Sequence, residues 1–147
     1  MAAGDRTGAP AGARGRLHHV ELWVADLASA EATLGWLLGK LGYVPADRWP
    51  HGVSYQGMGE YIVLEAGTDM LPGGHERCRP GLNHLAFHAG SASDVDALVR
   101  EAADHGWSAM FADQYPHAGG KGHYAAYLEN ADGFEAELVA DSAARPN

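Results

Sequence analysis

One cysteine, few cations and no long apolar run set the first limits on this chain of 147 residues. Cys78 stands alone, so no internal disulfide can form, which agrees with a reducing compartment. It lies in a polar stretch with no particular His or Asp tied to it, so nothing marks it as a nucleophile. Lys and Arg number 10 against 19 Asp and Glu, and the formal charge of -9 argues against a phosphate backbone as partner. That charge would favour a cationic ligand, although solubility alone explains it equally. No stretch approaches the ~20 uninterrupted apolar residues of a membrane span, so no membrane partner is expected. Met1 to Arg16 is rich in Gly, Ala and Arg without an apolar core. It reads as a disordered tail rather than a signal peptide, and a cytoplasmic location follows as an expectation.

What is present is one pattern, written twice. Leu82-Asn83-His84-Leu85-Ala86-Phe87-His88 alternates as a strand, with His84, Ala86 and His88 on one face and Leu85 and Phe87 on the other. Leu17-His18-His19-Val20-Glu21-Leu22 does nearly the same, with His19, Glu21 and Trp23 sharing a face. Each strand leads through a polar break to an amphipathic helix, then to a glycine and an aromatic, Gly42-Tyr43 in the first copy and Gly106-Trp107 in the second. Each copy closes on an apolar strand around a glutamate, Glu65 and Glu137. Such recurrence indicates a duplicated module.

Taken in order, the spacing predicts a helix from about Ser29 to Leu41, with Leu34, Leu37, Leu38 and Leu41 as its buried stripe and Gly42 just past its end. Strands are expected near 43–49, interrupted by Pro45, then at 52–56 and 60–66. The second helix is expected to start at Ser93, with Asp96 completing a capping box, and strands near 108–112, 123–129 and 134–140 follow. Gly119-Gly120-Lys121-Gly122 lacks the setting of a phosphate loop and reads as a hairpin or site rim. The expected organisation is a tail at 1–16, a first βαβββ module at 17–67, a linker loop at 68–81, a second βαβββ module at 82–140 and a tail at 141–147. The expected fold class is α+β, two tandem modules forming a curved mixed sheet around a cavity lined by His19, Glu65, His84 and Glu137.

These residues resemble the vicinal oxygen chelate superfamily, which includes glyoxalase I, bleomycin-resistance proteins, extradiol dioxygenases and fosfomycin-resistance enzymes. The likeness is carried by His-Val after the leading leucine of 17–22, by Asn83-His84-Leu85-Ala86-Phe87, and by Asp132-Gly133-Phe134-Glu135-Ala136-Glu137-Leu138. It implies a divalent metal (Ni, Co, Zn, Mn or Fe) held by His19, Glu65, His84 and Glu137. Two imidazoles and two carboxylates suit such ions, leaving room to chelate adjacent substrate oxygens. Glu137 or Glu65 would then take a proton beside a carbonyl, Glu137 being preferred. The expected function is a glyoxalase-like lyase or isomerase acting on a small oxygenated substrate. The alternatives are a bleomycin-resistance-type protein that binds a small molecule without chemistry, and an extradiol-type dioxygenase. A homodimer is expected, with the cavity inside one chain or shared across two.

Other residues keep two readings. His88 and His123 share the face or strand of the nominated ligands and suit a proton shuttle or a supporting hydrogen bond, or a plain structural role. His51, His75, His105 and His117 are expected to be exposed, and Arg48, Arg77, Arg79 and Lys121 lie in loops where solubility explains them. Glu21 and Glu135 point to the cavity side, where a buried carboxylate needs a partner. Trp23, Tyr61 and Tyr127 line a pocket or pack a core.

Overall fold

The computed structural model describes residues 13–142, so most of the expected N-terminal tail and residues 143–147 lie outside the described residues. The described chain divides into two compact units with the boundary between Gly73 and Gly74. Both follow the βαβββ order read from the sequence.

The first unit opens with β1 (His19–Trp23) and helix α1, which runs Leu27–Ala30, widens to a π-helical stretch Glu31–Gly35 and resumes Trp36–Lys40. The helix starts two residues earlier than Ser29 because Asp26 caps it, its carboxylate accepting from the Ser29 N–H at 2.7 Å. Leu34, Leu37 and Leu38 are buried as the stripe requires. Gly35 sits in the widened turn where Tyr55 crosses; a Cβ there would lie 2.4 Å from the Tyr55 hydroxyl. Strands β2 (Val44–Trp49), β3 (Gly52–Gln56) and β4 (Tyr61–Glu65) complete the unit. The sheet order is β1-β4-β3-β2, with β1 parallel to β4 and the other pairs antiparallel. The register of β2 slips between Pro45 and Arg48, as expected where proline removes a ladder donor.

The second unit repeats this with β5 (His84–His88), α2 (Ala92–Ala102) ending in a 3-10 turn (Ala103–His105), β6 (Trp107–Met110), β7 (Ala125–Asn130) and β8 (Glu135–Val139). Its order, β5-β8-β7-β6, is the counterpart of the first. The N-cap is Ser91, not Ser93: Ser91 and Asp94 form the reciprocal capping box. Asp96 is thereby free to accept from the hydroxyls of Tyr115 and Tyr124. Both helical segments give way to a glycine in the left-handed region, Gly42 at φ +92° and Gly106 at φ +83°, a conformation that costs glycine little. The turn before β8 is set by Asn130, whose side-chain oxygen accepts from the N–H groups of Asp132 and Phe134.

Each sheet buries one face against its helix. Leu64, Leu128, Leu138 and Val95 are fully enclosed. A leucine so buried contributes about 1.5–3 kcal/mol. The opposite faces carry the polar residues.

Candidate functional site

Parallel pairing of β5 with β8 aligns His84 with Glu135, Ala86 with Glu137 and His88 with Val139. Antiparallel pairing of β7 with β8 adds Glu129 to the first rung and Tyr127 to the second. Alternation then fixes the face: His84, Glu137 and Tyr127 converge beside the small side chain of Ala86.

Glu137 is the centre, 7% exposed. One carboxylate oxygen, Oε1, lies 2.5 Å from His123 Nε2, and Oε2 lies 3.1 Å from His84 Nε2. The Tyr127 hydroxyl donates to the same carboxylate. Burial pushes this carboxyl up, but the hydrogen bonds from His123, Tyr127 and His84, with the charge of His123, outweigh it and hold the group below the usual carboxylate range. Tyr127 moves the other way: burial, then its bond to Glu137, then the charges of Glu137 and Glu135, raise its hydroxyl.

The protonation of His84 is dictated from behind. Asn83 Nδ2 donates to the Arg77 carbonyl at 3.1 Å, which turns its Oδ1 to His84 Nδ1 at 2.7 Å. That oxygen only accepts, so Nδ1 carries the hydrogen; with a proton on Nε2 as well, His84 donates to Glu137, and without it Nε2 presents a lone pair to the carboxylate. Two electron-rich atoms at this distance need a proton or a cation between them. Donors about 2.1 Å from one ion and at right angles stand about 3.0 Å apart, so the pair suits two neighbouring positions of a divalent ion. Among the described residues no group of three or more His, Cys, Asp or Glu is arranged to hold a metal; this unit offers a pair of ligands, with His123 orienting the carboxylate through its other oxygen.

Two neighbours complete the setting. Glu129 and Glu135 face each other directly across β7 and β8, an arrangement that repels. Arg77 bridges both, at 3.0 and 3.2 Å, and keeps Glu135 occupied on the rung of His84. Gly119 packs on His123 and Tyr127: a Cβ there would lie 2.4 Å from the Tyr127 hydroxyl and 2.6 Å from His123 Cδ2. The glycine loop therefore rims this centre. His88 stands apart, its side chain 95% exposed and 3.8 Å from Asp141. His75 is not exposed as expected; it is partly covered and stacked on Phe134 at 4.3 Å.

In the first unit His19 and Glu65 both line a hollow of about 350 Å³ on the sheet face, with Glu21, Asp47, Trp49 and Tyr61 among the lining. They do not meet. His19 pairs with Tyr61 and Glu65 with Trp23, four register positions away, or about 13 Å along the strands. His19 is exposed and stacked on Tyr61 at 4.8 Å. The place matching Glu137 is held by buried Val63, since Val63 pairs with Glu21 two residues beyond His19 as Glu137 pairs with Ala86 two beyond His84. Glu21 accepts from the Trp23 indole N–H at 2.9 Å.

The structure thus unites His84, Glu137 and His123. Arg77 and Asn83 emerge only in three dimensions; the one sequence signal was the amide directly before His84.

The Glyoxalase/Bleomycin resistance protein/Dioxygenase superfamily matches residues 18–127. An uncharacterized protein of Bacillus subtilis (strain 168), YqjT, is 41% identical over 127 residues, covering 86% of this chain and 99% of that protein. A candidate glyoxalase from Bacillus halodurans superposes with a TM-score of 0.81 at 39% identity, over 87% of this chain and 97% of that one. A glyoxalase/bleomycin resistance protein from Albidiferax ferrireducens T118 superposes with a TM-score of 0.67 at 24% identity, over 88% and 98%, a likeness of fold.

Proposed function

The chain belongs to the Glyoxalase/Bleomycin resistance protein/Dioxygenase superfamily, and from that premise we propose that it is a metal-dependent lyase or isomerase of glyoxalase type, acting on a small oxygenated substrate. The observation that supports this reading is the buried Glu137 carboxylate held between His84 and His123. A divalent ion (Ni, Co, Zn, Mn or Fe) would be held by His84 and Glu137 and would polarise a substrate carbonyl as a Lewis acid. Oε2 of Glu137, released from the ion when substrate binds, takes the proton from the carbon beside that carbonyl and returns it to the neighbouring carbon, while Oε1 stays bonded to His123. His123 and Tyr127 keep the carboxylate ionised and aimed, and the Asn83 link keeps His84 Nε2 directed at it. His19 and Glu65, nominated with them by sequence, belong to the proposal as residues to be tested singly. A homodimer and a cytoplasmic location are part of the same proposal. Among the described residues no helix is long and apolar enough to cross a membrane.

The test is proton exchange. Metal-replete protein in D2O should deuterate the carbon beside the carbonyl in a panel comprising hydroxyacetone, dihydroxyacetone and the methylglyoxal–glutathione hemithioacetal, followed by NMR. Glu137→Gln should slow this by about 10²–10⁴-fold, the usual worth of a positioned base. Chelation should abolish it. Exchange that survives Glu137→Gln contradicts the reading.

The first unit's hollow favours a second reading, a protein that binds a small molecule without chemistry, because about 350 Å³ with aromatic and polar walls is within the range of ligand sites. Ligand binding that survives chelation, with no exchange, would select it. Oxygen consumption with a catechol in the presence of iron would select the dioxygenase instead.

A further inference from the structure

Strand β6 ends at Met110, whose register partner is Tyr127, and the chain turns at once through Phe111. Phe111 has φ +54°, and among the described residues it is the one non-glycine in the left-handed region. A bulky side chain is disfavoured there because its Cβ crowds the following carbonyl, whereas glycine or asparagine makes the same turn readily. The turn's own bond, Gln114 N–H to the Phe111 carbonyl at 2.9 Å, is backbone and asks for no ring. Nor does burial explain the residue, which is 48% exposed. The ring meets Tyr127 edge to face, centroids 5.6 Å apart at 80°, and Tyr127 hydrogen-bonds Glu137. An unfavourable backbone thus holds a half-open aromatic one ring away from the reactive carboxylate, the kind of place where strain is retained for function.

We propose that Phe111 is a specificity-determining residue, an aromatic wall at the rim of the Glu137 centre that selects substrates bearing a planar apolar group beside the reacting carbonyl. The inference rests on Glu137 as the centre of the site, but its test reads binding and needs no turnover. By titration calorimetry, wild-type protein should bind 2-hydroxyacetophenone at least about tenfold tighter than hydroxyacetone, from ring stacking and added apolar burial. Phe111→Gly should cut that ratio below about threefold by removing the ring. It should leave hydroxyacetone binding unchanged and keep Tm at or above the wild-type value, since glycine relieves the turn. Phe111→Tyr should retain the preference. A wild type without the preference, or a Phe111→Gly variant that keeps it, overturns the proposal; a lower Tm with the ratio intact identifies the ring as packing. If the preference is lost in Phe111→Gly while Glu137→Gln leaves exchange untouched, the wall stands and the catalytic reading falls.

Discussion

The two units share one backbone order and differ in what their rungs carry, most of all at the rung of Glu137. In the second, Glu137 is buried between two imidazoles and a phenol. In the first, the matching place holds Val63, and the carboxylate of Glu65 lies two residues further along the strand beside a wide hollow. Duplication preserved the hydrogen-bond ladder and the apolar alternation, which are demanded of any such sheet, and left the site face free to diverge. A buried carboxylate is tolerable only where donors surround it; unit two supplies imidazoles and a phenol, whereas the residues facing Val63 in unit one are Ser54 and the acidic Glu21.

Moving the acid breaks the comparison most severely. Val63→Glu puts a carboxylate at the rung of Glu137 with only Ser54 in the place of Tyr127, Glu21 on the other side and no counterpart of His123, and we expect a loss of about 3–5 kcal/mol in denaturant unfolding, the cost of a poorly compensated buried charge. An unaffected midpoint would mean that the first sheet's face already accepts charge. Next comes the clamp special to the second unit. Arg77→Met leaves Glu129 and Glu135 opposed, and the expected cost is about 1 kcal/mol, discounted because Glu129 is partly exposed, with recovery in high salt. A salt-independent loss would assign Arg77 to packing. The smallest effect is on pH. The folded-state value of Glu137 is lowered, so its contribution is fully present above the unfolded carboxylate value of about 4.3 and is lost as pH falls through the folded value. Stability measured against pH should therefore fall less steeply below that point in Glu137→Gln than in wild type.

Much of this was legible in the sequence because alternation and repetition are periodic signals. The strand of His84, its echo at His19 and the closing strand of Glu137 follow from them. The register of the first unit did not follow. Aligning the copies on Glu65 and Glu137 is wrong by two residues, and a shift of two preserves which face a side chain occupies, so alternation is blind to it. The helix start failed for a similar reason: Ser91 with Asp94 and Ser93 with Asp96 are both capping boxes on paper, and only the tyrosines that claim Asp96 decide between them. Arg77 and Asn83 act from a loop, where no period exists to mark them. Nothing in the sequence marks Phe111, because a positive φ is a property of the folded turn.

The most direct test of the central claim, that the reactive carboxylate belongs to the second unit, is deuterium exchange into hydroxyacetone by wild type, Glu137→Gln and Glu65→Gln side by side. The account predicts a loss of about 10²–10⁴-fold for Glu137→Gln and a rate near wild type for Glu65→Gln. The reverse order, with Glu65→Gln inactive and Glu137→Gln active, would contradict it.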